Sequence, residues 1–241
     1  MATFALMHGG FHTSKCWGLL AEELERRGHK TLTVDFPVSD PGADPDRYLQ
    51  VAVDAFGAAP EPVVVVGHSI AGWNALRLEQ RIPVAGTIFL CSCINLPAGV
   101  YPAQPVPMIA ADPADWTPDE RGVITMAHDA ARKYFYHDVP EPLASQALSW
   151  LVPQAAIGTA GPGWPISKAS APSAYIQAAD DQAVVGSWAE FASDLLTGRP
   201  PIVIPGSHSP FLSRPHDLAD LFEGCLLYTS DDADDLTRVD L

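Results

Sequence analysis

Positive charge is scarce in this chain: 14 lysines and arginines stand against 29 aspartates and glutamates over 241 residues, a formal net charge of −15 at pH 7. That balance argues against a nucleic-acid partner, whose phosphates need a basic face, and disfavours an anionic membrane surface. Acidity by itself points to solubility and to no particular partner. Cysteine is also sparse. Cys16, Cys91, Cys93 and Cys225 are too few and too scattered for a disulfide framework. Cys91 and Cys93, two apart in an apolar run, are expected to point to one face of a strand as buried free thiols. No histidine pair stands near them at ligand spacing, so a zinc site is not expected. No apolar run approaches the roughly 18 to 20 residues of a membrane span. Residues 1–7 lack the basic region and apolar core of a signal peptide, so a cytoplasmic location is the expectation.

What remains is a chain with 47% hydrophobic and 18% charged residues, suited to one globular domain. Short apolar runs alternate with amphipathic ones, the pattern of a parallel sheet covered by helices. Strands are expected over 3–7, 30–34, 63–66, 86–91, 173–178 and 201–204; residues 63–66 are four valines, as a strand buried on both faces requires. Helices are expected over 14–27, 46–58, 71–81, 187–196 and 214–223. In the first, Trp17, Leu20 and Leu24 form one stripe, with Glu22, Glu23, Arg26 and Arg27 off it. Ser14 reads as its N-cap and Gly28 as its stop.

The alternation fails over 97–170, a stretch rich in Pro, Trp and Tyr with expected helices at 118–136 and 141–151. An insertion this long reads as a helical cap over the sheet edge, hinged at proline-rich flanks 102–107 and 162–165. The core is then 1–96 plus 171–224. Residues 225–241 read as a non-native tail, since Cys225–Ser230 looks like the in-frame translation of a sequencing adapter appended to a truncated environmental gene.

The valine strand runs directly into Gly67-His68-Ser69-Ile70-Ala71-Gly72, which opens a helical pattern. Strand, sharp turn and helix together make a nucleophile elbow, with Ser69 as nucleophile and small residues where strand and helix nearly touch. Ala71 stands where glycine is usual. A hydroxyl needs a base, and the base an orienting carboxylate. Of the later histidines, His208 alone follows a strand through a short glycine-bearing turn. The strand 173–178 ends in Asp180-Asp181, and either aspartate could orient His208. The oxyanion hole needs two backbone N–H donors, expected from Ile70 after the nucleophile and from Gly10 in the loop His8-Gly9-Gly10-Phe11-His12. His8 and His12 are expected to brace that loop.

In this order, the His-Gly-Gly loop, the Gly-His-Ser elbow, Asp-Asp and Gly206-Ser207-His208-Ser209-Pro210-Phe211-Leu212 resemble the capped α/β-hydrolases. The nearest branch is that of the plant methylesterases and hydroxynitrile lyases, with their bacterial esterase relatives. The resemblance runs from Thr3 to Phe222 and includes Ala131–Asp138 and Ala174-Tyr175-Ile176-Gln177. It implies an α/β-hydrolase fold, a mostly parallel sheet flanked by helices, with the cap inserted after the sixth strand of the family's numbering. In that branch the carboxylate lies six residues after the strand tyrosine, which selects Asp181. The lyases carry a lysine after the catalytic histidine and a threonine after the first loop histidine. Here those positions are Ser209 and Gly9, and the elbow reads His68, as in the esterases. The expected activity is therefore serine carboxylesterase chemistry on small to medium esters. Its substrate is a small-molecule ester, with no cofactor and no metal; a homodimer is an open option. A lactonase, a hydroxynitrile lyase and a non-catalytic ligand-binding relative are the alternatives. Phe11, Trp73, Trp116, Trp150 and Phe211 are the expected pocket lining.

Overall fold

A computed structural model of the chain describes residues 1–94, 108–110, 112–155 and 168–227. The expected hinges at 102–107 and 162–165, and residues 228–241 of the expected tail, lie outside the described residues.

The chain opens with β1 (Thr3–Met7), then a 3-10 turn (Ser14–Trp17) leading into α1 (Gly18–Arg26), and β2 (Lys30–Val34). Next come α2 (Pro45–Phe56), β3 (Val63–His68), α3 (Gly72–Leu78) and β4 (Gly86–Leu90). An insertion follows, with a 3-10 turn (Pro113–Trp116), β5 (Val123–Ile124), α4 (His128–Phe135), α5 (Leu143–Leu148) and β6 (Gln154–Ala155). The chain then completes the sheet with β7 (Ser173–Ala178), α6 (Gly186–Thr197), β8 (Ile202–Ile204), α7 (Pro210–Ser213) and α8 (Pro215–Leu227). Six strands pair in the order β2-β1-β3-β4-β7-β8, every pair parallel.

Alternation along the strands sorts the core into two layers. Phe4, Leu6, Val64, Val66, Ile88 and Leu90 face α1 and α8, whose Leu20, Leu24, Leu218 and Phe222 complete that layer. Ala5, Met7, Val63, Val65 and Phe89 face the helices on the other side, among them Leu49 and Phe56 of α2 and Trp188 of α6. Glu23, off the expected apolar stripe, is nonetheless buried. It pairs with Arg26 and Arg27, and Arg27 reaches Glu223 of α8, so an ion network ties α1 to α8.

Several expectations shift. The helix foreseen over 118–136 is instead β5 followed by α4. The Asp119 carboxylate accepts the N–H groups of Arg121 and Val123, and Gly122 takes φ +76°; both divert the backbone from helix. β5 pairs antiparallel with β6, a two-stranded element with no strong sequence signal. The strand expected to reach Cys91 stops at Leu90, and Cys91 adopts φ +45°. Cys91 and Cys93 therefore join opposite core layers, contrary to a shared face. α8 runs on through Leu227, past the expected stop at 223. Among the described residues, no helix is long and apolar enough to cross a membrane.

Candidate active site

Ser69 sits where β3 hands over to a 3-10 turn (Ser69–Ala71) and then α3, at φ +53°. A non-glycine residue in that region costs on the order of 1–3 kcal/mol, so the surroundings must impose it. They do so by close approach. A Cβ on Gly67 would stand 2.6 Å from the Cα of Gly72 and 2.7 Å from the carbonyl oxygen of Ala71, and one on Gly72 would run into Ser92. Ser92 Oγ in turn donates to the Gly67 carbonyl at 2.8 Å. The steric demand falls on Gly67 and Gly72. Ala71 keeps an ordinary helical backbone and buries its methyl in the core, so its departure from glycine costs nothing here.

His208 hangs from the loop after β8. Gly206 turns that loop at φ +115°, and Ser207 Oγ fastens it to the Phe135 carbonyl at 2.9 Å. His68 Nε2 donates to the His208 carbonyl at 2.9 Å, so the elbow itself supports the histidine loop. His208 Nδ1 donates to Asp181 Oδ2 at 2.8 Å, and the two side chains are only 2% and 1% exposed. Asp181 Oδ1 accepts the N–H groups of Ala183 and Val184, each at 2.8 Å. Burying this carboxylate is tolerable because its lone pairs are so fully used. Asp180 is exposed and joins the loop only through its backbone, its N–H donating to the Gly206 carbonyl.

The loop after β1 packs onto the elbow. A Cβ on Gly9 would lie 2.7 Å from Ser69 Cβ and 2.8 Å from His68 Nδ1. Two histidines brace this loop. His8 Nδ1 donates to the Gly9 carbonyl at 2.8 Å while its Nε2 accepts the Phe36 N–H at 3.0 Å. His12 Nδ1 donates to the Gly10 carbonyl at 2.6 Å, and its Nε2 accepts the Tyr136 hydroxyl at 2.8 Å. Both rings need one protonated and one bare nitrogen, hence the neutral form. Burial enforces it: desolvation lowers the pKa of His8, brings that of His12 down to about 3, and holds that of His68 well below the ordinary value.

A stability consequence follows from these lowered values. Between pH 6.5 and the folded values, the unfolded chain binds protons that the folded one refuses, so stability rises with pH there and is lost as pH falls. For His12 alone, going from pH 7 to pH 5 is expected to cost about 2 kcal/mol. His8 and His68 add in the same direction. Urea unfolding at the two pH values measures this, and an unchanged midpoint would contradict neutral burial.

Gly10, Phe11, Ser69, Ile70 and His208 open on one cavity of about 450 Å³. Of the aromatics expected to line it, Phe11, Trp73 and Trp116 do. Phe211 does not. It lies fully buried beneath the elbow, its ring 4.7 Å from Trp17 and 4.9 Å from His68. Trp150 does not line it either; it is half-buried and packs against the core layer that faces α1 and α8. Tyr48, Phe135, Cys93 and Gln154 line the cavity without having been foreseen. Tyr48 and Phe135 fall within expected helices, where an aromatic carries no signal of a pocket, and Gln154 sits on β6, where no strand was expected. Among the described residues no Lys, Arg, Asp or Glu lines the cavity, and stretches 95–107 and 156–167 contain none either.

Ser69 Oγ rests 3.7 Å from Cys93 Sγ, and among the described residues it makes no direct hydrogen bond to His208. Such contacts are commonly loose before substrate binds. Desolvation pushes the Cys93 thiol up to about 12, so it stays protonated and is a poor rival nucleophile. Cys91, Asp181 and His208 offer ligand atoms within 4.8 Å of one another. The aspartate and histidine are already bonded to each other, and burial holds the Cys91 thiol protonated.

Residues 4–221 match the profile of the alpha/beta hydrolase family. A pyrethroid hydrolase of Sphingobium wenxiniae is 25% identical over 238 residues, 89% of this chain and 84% of that protein. A probable esterase of Oryza sativa subsp. indica is 32% identical over 104 residues, 38% of this chain and 39% of its own. Among solved structures, a pyrethroid hydrolase from Sphingobium faniae superposes with a TM-score of 0.76 at 23% identity, covering 93% of this chain and 97% of that one. A methylesterase from Arabidopsis gives a TM-score of 0.75 at 20% identity, covering 95% and 100%. At these identities the structural likeness is one of fold.

Proposed function

The chain belongs to the alpha/beta hydrolase family, and on that premise we propose that it is a serine carboxylesterase for small to medium, uncharged esters. The observation that carries the reading is the strained Ser69 opening on the same cavity as His208, whose Nδ1 is held by the buried Asp181. In the proposed cycle the Ser69 hydroxyl turns from Cys93 to His208 Nε2 and gives up its proton as Oγ attacks the ester carbonyl. The Gly10 and Ile70 N–H groups receive the developing oxyanion. The alcohol leaves with the proton from His208, and water releases the acid by the same route in reverse. The relatives named as a pyrethroid hydrolase and as an esterase support ester cleavage.

Two positions favour hydrolysis over the lyase alternative. The lyases' threonine would fall on Gly9, where any Cβ would lie 2.7 Å from Ser69 Cβ. Their lysine would fall on Ser209, fully buried here. The four cysteines are free thiols, which suits a reducing cytoplasm.

The uncharged cavity sets substrate preference. A carboxylate entering it would lose water without gaining a counter-charge, at a cost of several kcal/mol. We expect p-nitrophenyl butyrate to exceed the anionic p-nitrophenyl hemisuccinate in kcat/KM by about 100-fold or more. Equal values would refute the preference, and cyanide release from mandelonitrile without ester cleavage would transfer the site to the lyases.

A further inference from the structure

Gln154, on β6 of the insertion, reaches across the chain to the loop that carries Gly10. Its Oε1 accepts the Phe11 N–H at 3.2 Å and its Nε2 donates to the Ala155 carbonyl at 2.7 Å, in a residue that is 7% exposed. The backbone around it is tied to the same part of the core. Val152 N–H donates to the Phe11 carbonyl at 2.8 Å, Ala155 N–H to the Val38 carbonyl at 2.6 Å, and Ser39 Oγ to the Pro153 carbonyl at 2.6 Å. Both backbone polar groups of Phe11, a residue held at φ +63°, thus end on the insertion.

The peptides on either side of Gly10 are fixed in different ways. In the Gly9–Gly10 peptide the carbonyl is taken by His8, and the Gly10 N–H has no acceptor among the described residues. In the Gly10–Phe11 peptide both ends are taken, the carbonyl by His12 and the N–H by Gln154. Holding the second plane fixes the torsion at Gly10, a residue with no side chain to restrain it. It also withdraws the Phe11 N–H from the cavity. A donor contributes to catalysis only if it is already aimed where charge develops.

We propose that Gln154 is a positioning residue for the oxyanion hole: by clamping the Gly10–Phe11 peptide from the insertion, it keeps the Gly10 N–H aimed at the reacting carbonyl. The insertion then shapes the chemistry as well as covering the cavity. This rests on the reading of Gly10 as an oxyanion donor to an ester cleaved by Ser69.

The test is Gln154→Met, close in volume but without the amide acceptor, assayed with p-nitrophenyl butyrate and with a trifluoromethyl ketone that forms a tetrahedral adduct on serine. Loosening one donor is expected to lower kcat about 10- to 100-fold and to raise the ketone Ki by a similar factor, with KM within about 3-fold of wild type. Wild-type kcat with an unchanged Ki would overturn the inference, as would a rise in KM without loss of kcat. A wild-type enzyme that the ketone does not inhibit would overturn the serine mechanism itself, and this inference with it. Should the variant not fold, amide exchange in the wild-type protein decides. Protection of the Phe11 N–H over hours supports the clamp, and exchange within minutes refutes it.

Discussion

Ser69→Ala is expected to lower kcat on an activated ester by about four to six orders of magnitude, with little change in KM or in stability. On the proposed mechanism, no other described cavity residue can take over the role of the serine hydroxyl. Cys93 is the nearest other candidate, 3.7 Å from Ser69 Oγ, but burial keeps its thiol protonated. The change leaves the elbow intact, because its geometry is imposed by Gly67, Gly72 and the Ser92 hydrogen bond and not by the serine hydroxyl. The His208–Asp181 pair also stays in place, since it is held from other loops. Loss of rate should therefore appear without loss of fold. Steady-state kinetics of a variant with wild-type circular dichroism checks this, and more than about one percent residual activity would reject the covalent mechanism.

Asp181→Asn should be the next most damaging change, about 10⁴-fold in kcat, while Asp180→Asn should stay close to wild type. The backbone dictates the first result. The Ala183 and Val184 N–H groups both point at Oδ1, so an asparagine must place its carbonyl oxygen there. Its amide nitrogen is then turned toward His208 Nδ1, where it can only donate. His208 would have to carry its proton on Nε2, the position that must be bare to receive the serine proton. The imidazole remains in place in the wrong tautomer. Asp180 is exposed and contributes only backbone bonds to the histidine loop, which asparagine preserves. Parallel kinetics of the two variants decide the assignment. A crippled Asp180→Asn beside an active Asp181→Asn would reverse it.

Much of this molecule is legible one segment at a time. Residues 3–7, 30–34 and 173–178 read as strands with the bounds the structure has. Residues 3–7 are buried throughout and carry the signal of a strand covered on both faces. By contrast 30–34, at the sheet edge and partly exposed, is marked by its β-branched threonines and valine. The elbow is equally local: four valines, Gly67, Ser69 and Gly72 lie within ten residues. The insertion was less legible. Its helix over 118–136 failed because one side chain, Asp119, took over the backbone donors that a helix would have used. Its two-residue strands are too short for any periodicity to show.

What the sequence determined by itself is the parallel sheet, the strand-to-helix turn that strains Ser69, and the order in which serine, aspartate and histidine follow one another. These depend on side-chain period and backbone sterics over a few neighbouring residues. The residues alone left Asp180 and Asp181 both open, with only the family resemblance pointing to Asp181. The tertiary structure put Asp181 on His208, and it alone decided which aromatics face the cavity and what holds the loop after β1. The physical reason is distance along the chain. The His208–Asp181 bond joins residues 27 apart and the Phe11–Gln154 bond residues 143 apart, and such pairings exist only once the loops carrying them have been packed together.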